Sequence, residues 1–130
     1  MRRIHIGLAA AAASALISPI VFAQNMQDVT VVGTRALTTN EVGQTSTGVT
    51  IIKISLTYGV GASDLDLASS AGAAELGKRI DNAAMAACKE ITRQYPKATP
   101  SDEECAKAAA KKAMVKAYEL EAAAAKKSAK

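Results

Sequence analysis

CKEITRQYPKATPSDEEC, residues 88–105, contains both cysteines of the chain, two of its three prolines and a helix-capping sequence. Pro96 and Pro100 predict a turn, because proline has no backbone amide with which to continue a helix. Ser101 followed three residues later by Glu104 is a capping box, in which each side chain accepts a hydrogen bond from the other residue's backbone amide. The stretch therefore predicts the end of one helix, a turn and the start of a second helix.

Apolar residues on both sides of this turn recur at intervals of three and four, which is the helical period. The first helix, capped by Ser69 or Ser70, should run to about Gln94, and the second should run from Asp102 towards Ala125. The expected buried faces are Leu76, Ile80, Ala83, Ala84, Ala87, Cys88 and Ile91 on the first helix, and Ala106, Ala109, Ala110, Ala113, Met114, Ala117 and Leu120 on the second.

The N-terminus has the layout of a cleavable signal peptide. An arginine pair precedes a largely apolar stretch over residues 4–15, and a small residue, Ala23, stands just before Gln24, where we expect cleavage. The alternative is a membrane-spanning helix, which needs roughly 20 unbroken apolar residues. Because polar residues and Pro19 interrupt the run, we expect a periplasmic or secreted protein without a transmembrane segment in its mature form.

The two cysteines predict a tether between the helices. Cys88 lies about two turns before the end of the first helix and Cys105 about one turn into the second, so an antiparallel hairpin would bring them together. There is no Cys-x-x-Cys redox motif, and after cleavage no histidine or third cysteine remains to complete a zinc site. An even pair in an exported chain is expected to form a disulfide, worth about 3 kcal/mol for a loop of this length.

The N-terminal half carries two strand signals. Residues 49–58 alternate between an apolar set (Ile52, Ile54, Leu56 and Tyr58) and a polar set, which is the period of a half-buried strand. A shorter β-branched run, Val29, Thr30, Val31 and Val32, ends at Gly33 and precedes a polar loop expected from Thr34 to Gly48. The glycines at 59 and 61 indicate a strand end or bulge. The leucines of DLDL, residues 64–67, should enter the core, with the two carboxylates facing solvent.

These signals predict an α+β fold, with two short β-strands followed by a disulfide-linked antiparallel helical hairpin. The expected organisation is a signal peptide over residues 1–23, an N-terminal strand and polar loop over 24–48, an α+β domain over 49–125 and a lysine-rich tail over 126–130.

The composition argues against several functional classes. Cleavage would remove the single histidine and leave no usual base for a serine or cysteine nucleophile, so we expect no enzymatic activity and no cofactor. Asp64 and Asp66 offer too few oxygens for calcium, which takes 6–8. The 16 Lys and Arg fall to 14 when residues 1–23 are removed, against 12 Asp and Glu. With three tyrosines as the remaining aromatics, we expect no nucleic-acid binding.

Several segments of the chain match one family in combination. They are EVGQTSTG at 41–48, Tyr58 leading into SDLDL at 63–67, AGAAEL at 71–76, the helix of Cys88, Tyr95 with Pro96, and Cys105 opening the last helix. Over roughly two thirds of its length the chain resembles the UrcA family of small exported bacterial proteins. It departs from the family at residues 59–61, where the family passes more directly into the acidic, leucine-containing segment. The resemblance implies an envelope or periplasmic protein with strands before helices and a cysteine pair, and it implies no activity.

Two functional hypotheses follow, and both are non-enzymatic. In the first, the candidate interaction strand Val29–Val32 adds to a sheet edge of an unknown envelope protein, and the alternative is that it pairs with residues 49–58 of its own chain. In the second, a lysine-rich face of the last helix meets anionic lipid or envelope polymer, although a solvated face explains the lysines equally well. Association of two copies of the chain is also open. The lysines are Lys107, Lys111, Lys112, Lys116, Lys126, Lys127 and Lys130.

Overall fold

The computed structural model describes residues 28–40 and 49–130. They form β1 (Asp28–Asn40), β2 (Val49–Gly61), α1 (Ser70–Gln94) and α2 (Asp102–Ser128). The strands pair antiparallel, and a disulfide between Cys88 and Cys105 joins the helices, with 6.0 Å between the two Cα atoms. The predicted α+β fold with a disulfide-linked helical hairpin is confirmed. The expected signal peptide, its cleavage site between Ala23 and Gln24, and residues 41–48 lie outside the described residues.

β1 is longer than the sequence predicted. Each strand has 13 residues, and β1 continues through Gly33 to Asn40, opposite Val49. The prediction of a loop from Thr34 onwards is therefore wrong for residues 34–40. Thr34 and Thr38 are exposed, whereas Arg35 is buried and Leu37 is half-buried on the face of the strand that meets the helices. Polar residues in this half are therefore compatible with a strand.

One face of the two-stranded sheet lies against the helices. Val29 stands opposite Val60 and Val31 opposite Tyr58, and cross-strand partners share a face of the sheet. Val29 and Val31 have no solvent exposure, and Val60 is also buried. β2 continues to Gly61, so Gly59 and Gly61 mark the end of the strand. A strand end was one of the two structures that the sequence predicted for these glycines.

α1 begins and ends where the sequence predicted. The Ser69 hydroxyl accepts a hydrogen bond of 3.0 Å from the amide of Gly72, and the amide of Tyr95 donates to Ile91 at the other end of the helix. The predicted face of α1 is buried, except that Ala83 is half-buried. In the segment before α1, Leu67 is buried and Leu65 half-buried, so both leucines reach the core as expected.

α2 starts with the predicted capping box. The Ser101 hydroxyl accepts from the Glu104 amide at 3.3 Å, and the Glu104 carboxylate accepts from the Ser101 amide at 3.4 Å. All the alanines predicted for its inner face are buried, and Met114 and Leu120 are half-buried. The helix runs to Ser128, so Lys126 and Lys127 belong to its last turn instead of to a separate tail.

β1 is the central element of the fold. Both helices pack on β1, whereas β2 is approached by α1 and not by α2 among the described residues. At Gly33 the strand comes so close to α1 that an added Cβ would lie 3.0 Å from the Cβ of Ala87. The inner face of β2 is consequently covered by α1 alone among the two helices.

Candidate interaction surface

The inner face of β2 carries apolar side chains that the helices leave partly uncovered. We call Ile52, Ile54, Leu56 and Tyr58 the β2 apolar row. Ile54 and Leu56 are half-buried, whereas Ile52 is 45% and Tyr58 38% exposed. The sequence predicted that these four residues share a face, and the register confirms it. Exposed apolar residues that are contiguous, as these are, mark surfaces of interaction more often than isolated ones do.

A small pocket continues this surface beyond the edge of α1. It has a volume of about 280 Å³ and is lined by Leu37, Gln94, Tyr95, Pro96 and Lys97. Leu37 is the cross-strand partner of Ile52, so the pocket adjoins the β2 apolar row. Small-molecule sites usually measure about 300–1,000 Å³. We therefore interpret this pocket as a binding site for a single side chain of a partner.

Charged residues of α1 close to this pocket are paired with each other. Arg93 donates from Nη2 to Oε1 of Glu90 over 2.5 Å, and Gln94 donates to the same oxygen over 2.9 Å. These hydrogen bonds, that from Arg93 above all, lower the pKa of Glu90, and Glu90 in turn raises the pKa of Arg93. Both side chains of the pair are therefore charged at neutral pH.

The hairpin also has open backbone edges. The outer edge of β1 is closed at Ala36, whose amide and carbonyl bond to Thr99 over 2.7 and 2.8 Å. Because outward-facing groups alternate along a strand, Thr30, Val32 and Thr34 direct their amides and carbonyls to the same edge. No further strand pairs with β2 within the part of the chain that the structure describes.

The candidate interaction strand pairs inside its own chain. Val29–Val32 lie opposite Thr57–Val60, and Val29 and Val31 are core residues. This is the internal pairing that the sequence left open. Thr30 and Val32 face solvent on the other side of the sheet. Binding of a partner protein at the outer edge of β1 stays a prediction.

A buried arginine joins β1 to the helical hairpin, and sequence reasoning missed it. Arg35 is only 5% exposed. Its Nη1 donates to Asp102 at 2.5 Å and also to the Thr92 hydroxyl, while Nη2 donates to the Ala98 carbonyl. Thr92 itself donates to Asp102. The period-two alternation of Val29 and Val31 extends through Gly33 to Arg35, which is the signal that could have placed Arg35 on the buried face.

The acidic pair of the DLDL segment has structural partners. Arg79 donates to both oxygens of Asp64, over 2.8 and 2.7 Å, and to the Gly61 carbonyl over 3.1 Å. These bonds lower the pKa of Asp64 and raise that of Arg79. One oxygen of Asp66 accepts from the amide of Ala68 at 3.1 Å. Both aspartates face solvent as predicted, but Asp64 is held as an anion in an ion pair.

Neither a cluster of metal-binding side chains nor a membrane-spanning helix is present in the described residues, 28–40 and 49–130. They contain no group of three or more His, Cys, Asp or Glu arranged to hold a metal ion. In the same residues, no helix combines the length and apolar character needed to cross a membrane.

Comparison with known proteins gives no relative. No family model matches the chain, and searches of curated proteins and of solved structures find no similar protein. Membership of the UrcA family stays a prediction that rests on the segments quoted above.

Proposed function

We propose that the protein is an exported member of the UrcA family that serves in the bacterial envelope as a non-enzymatic binding module. The β2 apolar row and the adjoining pocket bind an extended segment of a partner protein. The observation that carries this proposal is that the helices cover the sheet incompletely. Because α2 packs on β1 and does not approach β2, the β2 apolar row is left partly exposed.

The geometry of β2 fits an extended partner. A strand of 13 residues spans about 43 Å at ~3.3 Å per residue, and its outer edge can supply a ladder of backbone hydrogen bonds. In strand addition, backbone bonds give affinity and pockets for alternate side chains give specificity. Here the β2 apolar row would contact every second residue of the added segment, and the pocket beside Leu37 would take a side chain at its end.

Export is supported by the cysteines and by the N-terminal sequence. The disulfide between Cys88 and Cys105 forms and persists in oxidising compartments such as the periplasm. The layout of a cleavable signal is present in the arginine pair, the apolar stretch over residues 4–15 and Ala23 just before Gln24.

Site-specific crosslinking in cells tests the proposal. A photo-crosslinking amino acid is placed at Ile52 in one variant and at Gln94, beside the pocket, in another, and captured peptides are identified by mass spectrometry. We expect both positions to map to nearby residues of one extended segment in a single foreign protein. Because the charge would be desolvated against the partner, Ile52→Asp should abolish capture by the crosslinker at Gln94.

Ile51 provides a matched control. It is the neighbouring isoleucine, 62% exposed, and lies on the opposite face of the same strand. Ile51→Asp should therefore leave capture intact. The proposal is wrong if the two variants lose capture equally, if the two positions map to unrelated proteins, or if the only captured peptide comes from a second copy of this chain.

A further inference from the structure

The outward face of α2 carries large apolar side chains that the fold does not bury. Val115 is 61% and Tyr118 60% exposed, although the opposite side of the same helix is lined by buried alanines. Ala122, also exposed, follows one turn later. The spacing of three and then four residues places Val115, Tyr118 and Ala122 in one stripe along the helix. An apolar stripe on the solvent side of a helix has no role in the core.

Positive charge surrounds this stripe. From Cys105 to the C-terminus the chain has seven lysines and two glutamates, and all seven lysines are exposed. Lys111 and Lys112 lie one turn before Val115, and Lys126 one turn after Ala122. Glu119 is held by Lys116, with 3.2 Å between Nζ and Oε2. The other glutamate, Glu121, is half-buried. The remaining acidic residues of α2 lie in its first turn, where they complement the helix dipole.

We propose that this face of α2 lies flat on an anionic lipid surface, with Val115 and Tyr118 at the boundary between headgroups and acyl chains and the lysines among the headgroups. Tyrosine and lysine suit this position, because each has an apolar body and a polar end that reaches water. A soluble polyanion would need the lysines and would have no use for an exposed Val115 and Tyr118. Because α2 does not approach β2, lipid binding leaves the β2 apolar row free, and the two surfaces act independently.

Tryptophan fluorescence tests where the face lies. The chain contains no tryptophan, so Tyr118→Trp introduces a single reporter. We expect its emission to shift to the blue with vesicles that contain one quarter phosphatidylglycerol at low salt, and to stay unchanged with pure phosphatidylcholine. Tyr95→Trp, beside the pocket, is the matched control and should not shift. The protein is purified after export, and mass spectrometry verifies that it begins at Gln24, because an uncleaved apolar N-terminus would bind vesicles by itself.

Sedimentation with the same vesicles separates charge from insertion. Lys111→Gln with Lys112→Gln should lower the partition coefficient on the order of 10- to 30-fold, because each lysine near an anionic surface contributes about 1 kcal/mol. Lys78→Gln with Lys89→Gln, on the exposed side of α1, should leave it unchanged. The proposal fails if no blue shift occurs at low salt. It also fails if Val115→Ser with Tyr118→Ser binds as well as the parent protein, since charge alone would then account for the binding. Capture at Ile52 is measured separately and does not depend on either result.

Discussion

Gly33 determines how closely β1 approaches α1. An added Cβ would lie 3.0 Å from the Ala87 Cβ and 3.4 Å from the backbone nitrogen of Cys88, which cannot move without the helix. We expect Gly33→Ala to lower the free energy of unfolding by about 1–3 kcal/mol in urea titrations, because it overpacks this contact. Gly59→Ala, in the same hairpin but with no atom within 4 Å of the added Cβ, should change it by about 0.5 kcal/mol or less. Equal effects of the two substitutions would show that β1 has room to move away from α1.

The ion pair of Asp64 with Arg79 makes stability depend on acid pH. The pKa of Asp64 is lowered in the folded protein by the hydrogen bonds from Arg79, so the unfolded chain binds the proton more readily. The contribution of the pair is complete above the ordinary carboxyl pKa of about 3.9 and is lost as pH falls through the lower folded value. The melting temperature of Asp64→Asn should therefore lie below that of the parent protein at pH 7, and the difference should shrink below about pH 4. A difference that is constant from pH 7 to pH 2 would contradict this origin.

At the scale of elements, the disulfide attaches α2, whose buried residues are mainly alanine, to α1. Alanine removes little apolar area from water, so α2 depends on covalent attachment more than a leucine-rich helix would. The cysteines are 17 residues apart, and reduction should lower the free energy of unfolding by about 3 kcal/mol, compared by urea titration with and without reductant. A Cys88→Ala/Cys105→Ala variant should not respond to reductant. An unchanged midpoint on reduction of the parent protein would mean that packing alone holds the helical hairpin.

The helices could be predicted from sequence because their signals are local. Ser69, Ser101 and Glu104 cap them, and the apolar period identifies their buried faces. The second half of β1 could not be predicted, because it contains little apolar sequence and ends at Asn40, a residue type depleted in strands, and because its pairing with β2 is a long-range contact.

The candidate surface was predictable in part. The alternation of residues 49–58 identifies the β2 apolar row but not its exposure, which depends on where α2 lies in the assembled fold. The burial of Arg35 likewise depends on partners from three other segments. A charged residue is expected at the surface unless such partners are known.

At the scale of the whole molecule, Arg35 connects every part of the fold except β2 and the segment before α1. Its guanidinium reaches the end of α1, the turn between the helices and the first residue of α2. Arg35→Met should lower the free energy of unfolding by about 3 kcal/mol, because Asp102 loses its positively charged partner and the Ala98 carbonyl loses its donor. Adding Asp102→Asn should restore part of the loss.

Arg79→Met is a control for this prediction. It also breaks an arginine–aspartate pair, but there the two side chains are 34% and 60% exposed, so solvent replaces the lost contact. Its effect in the same urea titrations should be clearly smaller. If the two arginine variants are equally stable, Arg35 does not connect the elements energetically.

The position of the disulfide beneath β1 has a consequence for the order of assembly. Cys88 is fully buried and Cys105 is 1% exposed. Because Gly33 has no side chain, β1 approaches the disulfide so closely that a Cβ added at this position would lie 3.2 Å from Cys88 Sγ. Thiol exchange requires an attacking thiolate to reach a sulfur atom. An oxidant must therefore act before β1 closes over the helices, and afterwards a reductant acts only when the strand lifts away. The rate at which a small thiol cleaves the bond then measures how often this strand opens.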